Sequence, residues 1–181
     1  QYATGVVFHD ANRNCVRDRG EKGIPGVRVS NGRTSVKTDA AGSYRLPVTD
    51  DTIIFVIKPR NWMPLVDADN VPRFYYIHKP SGSPKLEYKG VDPTGPLPES
   101  VDFPLYPHPE PNRFHAVFIG DTQVGSDKET EYLARDVIAE LIGTDAHFAV
   151  SLGDIVSDKL SLFEHLAPVM GKMGVPCYYV K

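Results

Sequence analysis

The sequence predicts a multidomain α+β chain: a small β-sandwich, then the first part of a parallel α/β domain with βαβαβ order. Three observations predict it. From Thr4 to about Pro107, short β-type runs recur between clusters of Gly, Pro, Asn and Asp, the rhythm of a sandwich. From Arg113 on, Val117-Phe118-Ile119 and Phe148-Ala149-Val150 are continuous apolar runs, as in parallel strands covered on both faces. Between the two regimes, Pro107-His108-Pro109-Glu110-Pro111-Asn112 reads as a stiff, extended connection. The expected boundaries are 1–107 for the sandwich, 108–112 for the linker and 113–181 for the α/β part.

Composition bounds the function. At 181 residues the chain has room for two small domains, each with a core. A formal net charge of −3 with interspersed signs leaves no basic cluster, so a nucleic-acid surface is not expected. No apolar run approaches the roughly 20 residues that span a bilayer. Cys15 and Cys177 fall in different expected domains, so a disulfide framework is not expected. Oligomeric state is not legible.

In the N-terminal part, the expected strands are Gly5–Phe8, Val27–Ser30, Thr34–Thr38, Ser43–Leu46, Ile53–Lys58 and, last, Val101–Leu105. Asp39-Ala40-Ala41-Gly42 is a turn signal between two of them. The segment Asp10–Glu21 has two readings. Asp10, Asn12, Asn14, Asp18 and Glu21 fall at the spacing by which an EF-hand-type loop wraps Ca²⁺, with Val16 supplying a carbonyl. Cys15 then stands where the sharp turn wants Gly. The alternative is a polar loop whose Asp and Asn side chains bond their own backbone. From Lys58 to Pro98, recurrent prolines make long strands improbable. The aromatic groups Arg60–Met63, Arg73–His78 and Leu86–Lys89 read there as core and packing, with a glycan or peptide surface as the alternative.

In the C-terminal part, both apolar runs end in Gly-Asp, Gly120-Asp121 and Gly153-Asp154. Between them, from about Ser126 to Ile142, Tyr132, Leu133, Val137, Ile138, Leu141 and Ile142 recur at helical spacing. A second amphipathic helix is expected over Leu160–Met173, stopped by Gly174, and a third strand over Val175–Lys181. Ligands of open α/β sheets bind beyond the carboxyl ends of the strands. Asp121 and Asp154 are therefore expected in one crevice. One Gly-Asp reads as turn chemistry. Two at equivalent points favour a divalent cation between paired acids.

At these residues the sequence resembles the calcineurin-like metallophosphoesterases. Asp121 matches their first metal-binding acid and Asp154 the acid that bridges two metals. Gln123 stands where that pattern has a histidine, and Ser157 where it has an acid, with Asp158 one step later. The resemblance implies a hydrolase of phosphomono- or phosphodiesters, with a phosphate ester as substrate and two divalent ions of the Mn, Mg, Fe or Zn type. Asp121, Gln123 and Asp154 are the expected metal residues. The family's Gly-Asn-His motif, with its catalytic histidine, is expected beyond Lys181, so no catalytic residue is assigned and the chain is expected to be an inactive fragment.

GVVFHDANRNCVRDRGEKGIPGVRVSNGRTSVKTDAAGSYRLPV resembles transthyretin-like, carboxypeptidase-regulatory-like and Cna-B-like sandwich modules. It is also similar to the module preceding the catalytic domain in some bacterial calcineurin-like phosphoesterases. That likeness, with a first residue other than Met, implies a secreted or periplasmic protein. The rival reading is an extracellular or envelope binding module with a degenerate phosphoesterase part. An unrelated doubly wound domain holding Mg²⁺ through the two acids explains the paired Gly-Asp ends less well.

Overall fold

The computed structural model describes residues 1–180. Lys181, the last residue of the expected third strand, lies outside them. The chain is mostly β with few helices, an α+β composition. It divides into two compact units: Gln1–Leu65 with Phe74–Glu110, and Val66–Arg73 with the chain from Pro111 onward.

The first unit holds strands β1 (Tyr2–His9), β2 (Arg28–Ser30), β3 (Ser35–Lys37), β4 (Ser43–Pro47), β5 (Thr52–Ile57), β6 (Trp62–Pro64), β7 (Tyr75–His78) and β8 (Phe103–Pro107). They form one sheet in the order β4-β1-β8-β6 and another in the order β3-β2-β5-β7. Alternation explains both. In β5, Thr52, Ile54 and Val56 are buried while Ile53 and Ile57 are exposed, the two-residue period of a strand with one covered face. A single hydrophobic cluster takes Ala3, Val7, Leu46, Phe103 and Leu105 from the first sheet and Val29, Ile54 and Val56 from the second. Gly5 is needed where it stands, because a Cβ there would lie 1.9 Å from the carbonyl oxygen of Val101. The Asp39 carboxylate closes the β3–β4 turn by accepting from the N–H groups of Ala41 (2.9 Å) and Ser43 (2.8 Å).

Two details go beyond the strands expected from the sequence. β1 and β8 pair in parallel, Val7 opposite Phe103 and His9 opposite Leu105. The proline-rich stretch also yields two short strands, β6 and β7, whose brevity is what the flanking prolines permit.

The second unit holds the parallel strands β9 (Ala116–Ile119), β10 (Phe148–Ser151) and β11 (Cys177–Tyr179), in the order β11-β10-β9. Between β9 and β10 the chain is helical from Asp127 to Leu141: α1 (Asp127–Leu133), a π-helical stretch Ala134–Ile138, and α2 (Ala139–Leu141). Ser126 caps its start by accepting from the N–H of Glu129, with acids in the first turn. Gly143 at φ 77° follows its end. Between β10 and β11, a 3₁₀ turn at Leu160–Leu162 leads into α3 (Phe163–Gly171). Ile138, Leu166, Met170 and Met173 pack with Ile119, Ala149 and Cys177. None of the described helices is long and apolar enough to cross a membrane.

The unit boundaries differ from the sequence expectation in two places. The stretch expected to be a free linker is held by the first unit as far as Glu110. The N–H of His108 donates to the Asn61 carbonyl at 2.8 Å, and Lys58 pairs with the Glu110 carboxylate. Residues 66–73, expected inside the sandwich, belong to the second unit. The Asp67 carboxylate accepts from the N–H groups of Asp69 and Val71, shaping a tight loop. The Asn70 carbonyl accepts from the N–H of Cys177 at 2.9 Å, and the Asn70 amide donates to the carbonyl of Gly171 at 2.9 Å. This loop covers the outer side of β11, an edge that would otherwise present unpaired backbone groups.

Candidate metal centre

The two Gly-Asp loops follow the carboxyl ends of neighbouring parallel strands, with Val150 opposite Phe118 and Ser151 opposite Ile119. The pairing does not stop there. The N–H of Gln123 donates to the carbonyl of Asp154 at 2.7 Å, and the N–H of Ser157 donates to the carbonyl of Val124 at 3.0 Å. Val124 and Val156 form an isolated parallel bridge. Two hydroxyls add to the seam. Thr122 Oγ1 donates to the Ile155 carbonyl at 2.8 Å, and Ser157 Oγ donates to the Gln123 carbonyl at 3.0 Å. The loops are thus laced along their length.

All three residues proposed from the sequence have left-handed backbones: Asp121 at φ 48°, Gln123 at φ 38° and Asp154 at φ 42°. Asp adopts that region at modest cost because its short side chain bonds locally. For Gln the region is disfavoured, and such residues persist where their surroundings over-determine them. All three side chains are exposed.

The loop leading from this seam into α1 is fixed separately. The Glu129 carboxylate accepts from the N–H of Gly125 at 2.6 Å, while Ser126 Oγ accepts from the N–H of Glu129 at 3.3 Å. This is a variant of the Ser-x-x-Glu capping box. Along the same helix an open depression of about 370 Å³ is lined by Thr122, Val124, Tyr132, Leu133 and Val137, with Glu129 and Asp136 at its polar side. Its wall includes the π-helical stretch, a local widening that recurs at functional sites. Beneath the seam, Ser151 Oγ is fully buried with no hydrogen-bond partner among the described residues. Its Cα partner Tyr179 has its hydroxyl pushed well above the usual phenol range by burial, with the Cys177 thiol and the Asp69 and Asp67 carboxylates adding to the effect.

As a donor set, two carboxylates and an amide oxygen suit a hard divalent cation. Their chemistry fits part of such an ion's shell. Among the described residues no group of three or more His, Cys, Asp or Glu converges to hold an ion. Two histidines of this unit are engaged elsewhere: His115 with the Asp145 carboxylate at 2.8 Å, and His165 with Asp127.

The second candidate, the loop Asp10–Glu21, does not have its ligands free. Asp10 is fully buried, and its carboxylate accepts from the N–H groups of Asn14 (3.2 Å) and Cys15 (2.8 Å). Asn12 Oδ1 accepts from the N–H of Asn14, and Asn14 Oδ1 from the N–H of Val16. The Asn12 and Asn14 amide nitrogens both donate to Asp18 Oδ2, at 2.7 and 2.8 Å. Glu21 accepts from the N–H groups of Ala11 and Asp18. The side-chain oxygens of Asp10, Asn12, Asn14, Asp18 and Glu21 thus accept from N–H groups of their own loop, the arrangement of the self-bonded polar alternative. Cys15 does take the sharp-turn conformation, at φ 66°.

Comparison with known proteins bears on the first unit. Residues 11–89 match the family described as the N terminal of Calcineurin-like phosphoesterase. No curated protein matches the chain.

Proposed function

We propose, from the premise that residues 11–89 are the N-terminal region of a calcineurin-like phosphoesterase, that this chain belongs to a metal-dependent hydrolase of phosphate esters. In this reading the β-rich unit is a sandwich-type accessory module, and the βαβαβ unit begins the catalytic domain. Asp121 binds one divalent ion, Asp154 bridges toward a second, and Gln123 takes the place of an imidazole ligand. One observation supports the reading: two Gly-Asp loops at the carboxyl ends of adjacent parallel strands are hydrogen-bonded to each other through Gln123, Val124, Asp154 and Ser157. When bound, such ions supply charge neutralisation at the phosphate and a nucleophile at neutral pH. The residues of this chain present and orient donors.

Three donors leave a divalent ion short of its shell. These three donors by themselves therefore bind metal weakly, and the chain is expected to hydrolyse no phosphate ester on their strength. Gln123, a neutral amide oxygen, favours Mg²⁺ or Mn²⁺ over softer ions.

The test is Mn²⁺ binding to this chain, followed by the electron paramagnetic resonance signal of the free ion, with p-nitrophenyl phosphate hydrolysis in parallel. Binding lost in Asp121→Ala and Asp154→Ala, without turnover, is the expected result. Absence of Mn²⁺ binding at millimolar concentration, or robust turnover by this chain alone, overturns the reading.

A further inference from the structure

We propose that Ser157 is a positioning residue for Gln123, and that the two act as one unit of the metal centre; this rests on the metal reading above. Measured against the pattern the chain resembles, Gln123 and Ser157 are two separate departures, 34 positions apart. In the fold they touch, through Ser157 Oγ and the Gln123 carbonyl at 3.0 Å.

The physical need for that contact lies in the backbone. Gln123 sits at φ 38°, a conformation that is disfavoured for a residue other than Gly, Asn or Asp. It is kept there from both sides by the opposite loop. Its N–H donates to the Asp154 carbonyl, its own carbonyl accepts from the Ser157 hydroxyl, and the next carbonyl, of Val124, accepts from the Ser157 N–H. Ser157 therefore grips two consecutive carbonyls. One of those bonds is main-chain and survives any side chain but proline. The other needs a hydroxyl. An ionised carboxylate at position 157 has no proton to give and would meet the Gln123 carbonyl as a second acceptor. Serine is thus the residue type that fits a glutamine held in this conformation.

Because Gln123 N–H is bonded to the carbonyl of the residue that carries the second acid, the same grip ties the backbone of Gln123 to that of Asp154. Loss of the hydroxyl releases one side of the clamp. The expected effect is on the organisation of the donors, with the fold retained by the remaining lacing.

The experiment compares Mn²⁺ dissociation constants of the full 181-residue chain and its Ser157→Ala and Ser157→Thr variants, with far-ultraviolet circular dichroism as the check on folding. Ser157→Ala should weaken Mn²⁺ binding about 10-fold, as removal of outer partners of metal ligands does. Ser157→Thr, which keeps the hydroxyl, should stay within about 2-fold of the parent. In a Gln123→Ala background, Ser157→Ala should have little further effect, since a coupled pair is non-additive. A parent chain that binds Mn²⁺ with Ser157→Ala equal to it overturns the positioning role and leaves the metal reading intact. A parent that binds no Mn²⁺ overturns both. Equal losses in the Ala and Thr variants assign the effect to packing and also overturn the proposal.

Discussion

Gln123 and Asp154 are joined by their main chains, the N–H of one donating to the carbonyl of the other across 2.7 Å. The residue at the third position of one Gly-Asp loop is therefore held at the acid of the other, and both are left-handed. The two loops are joined by backbone before any side chain takes part.

Gln123 is expected to trade stability for ligation. Gln123→Gly, which accepts φ 38° without strain, should raise the unfolding free energy by up to about 1 kcal/mol while weakening Mn²⁺ binding. Gln123→Val should lower it by about 1 kcal/mol or more. Urea unfolding of the two variants, read with metal titration, checks the opposite signs. Equal stabilities for Gly and Val would contradict the account.

Ca²⁺ should leave the first unit unchanged. The carboxylates of Asp10, Asp18 and Glu21 already hold N–H groups of their own loop, so millimolar Ca²⁺ should not move the thermal midpoint, as a ligand of the folded state would. Asp10→Ala should cost about 1–3 kcal/mol, because it leaves the N–H of Cys15 without its acceptor and that of Asn14 with Asn12 Oδ1 alone. Differential scanning calorimetry reads both.

Acid should release Glu110. Burial works to raise its carboxyl, but the Lys58 hydrogen bond, the Asn61 N–H and the nearby Lys58 and His108 charges outweigh it and hold it below the ordinary carboxylate value of 4.5. A carboxyl lowered in the folded state stabilises that state above its unfolded pKa. This contribution is lost as pH falls from the ordinary value through the lowered one. Since the pair is partly exposed, its size is about 0.5–1 kcal/mol. Glu110→Gln should remove that part of the pH dependence below pH ~5, which unfolding curves against pH would show.

Gly171 should not tolerate a methyl group. A Cβ there would lie 2.8 Å from the carbonyl oxygen of Asp69, backbone against backbone, so Gly171→Ala should cost about 1–3 kcal/mol. Asn70→Ala, which removes the bond to the Gly171 carbonyl, should cost about 1 kcal/mol. Hydrogen exchange at the Cys177 amide should quicken in both, since its acceptor is the Asn70 carbonyl.

What was legible in the sequence was local. β5 shows itself through alternation, and the helix over Asp127–Leu141 through its apolar spacing. The two Gly-Asp ends are visible because continuous apolar runs stop at them. Contacts between distant segments were not legible. The parallel pairing of β1 with β8 and the bond from Cys177 to Asn70 join residues far apart in the chain, and periodicity carries no such information. The left-handed backbones were equally hidden, since Gln123 has no turn-forming character of its own and is placed by Asp154 and Ser157. In Asp10–Glu21 the inventory of oxygens was right for either reading, and only the direction of the N–H groups separates them.

Asn70, in the loop Val66–Arg73, lies 101 positions before the Gly171 carbonyl it binds. During synthesis it leaves the ribosome long before β11 exists, so the nascent chain must carry it unsatisfied until nearly the last of these residues has emerged. A fragment cut to begin at Pro111 would lack it altogether. Such a piece would start life with a bare strand flank, prone to self-association for a reason that has nothing to do with its chemistry.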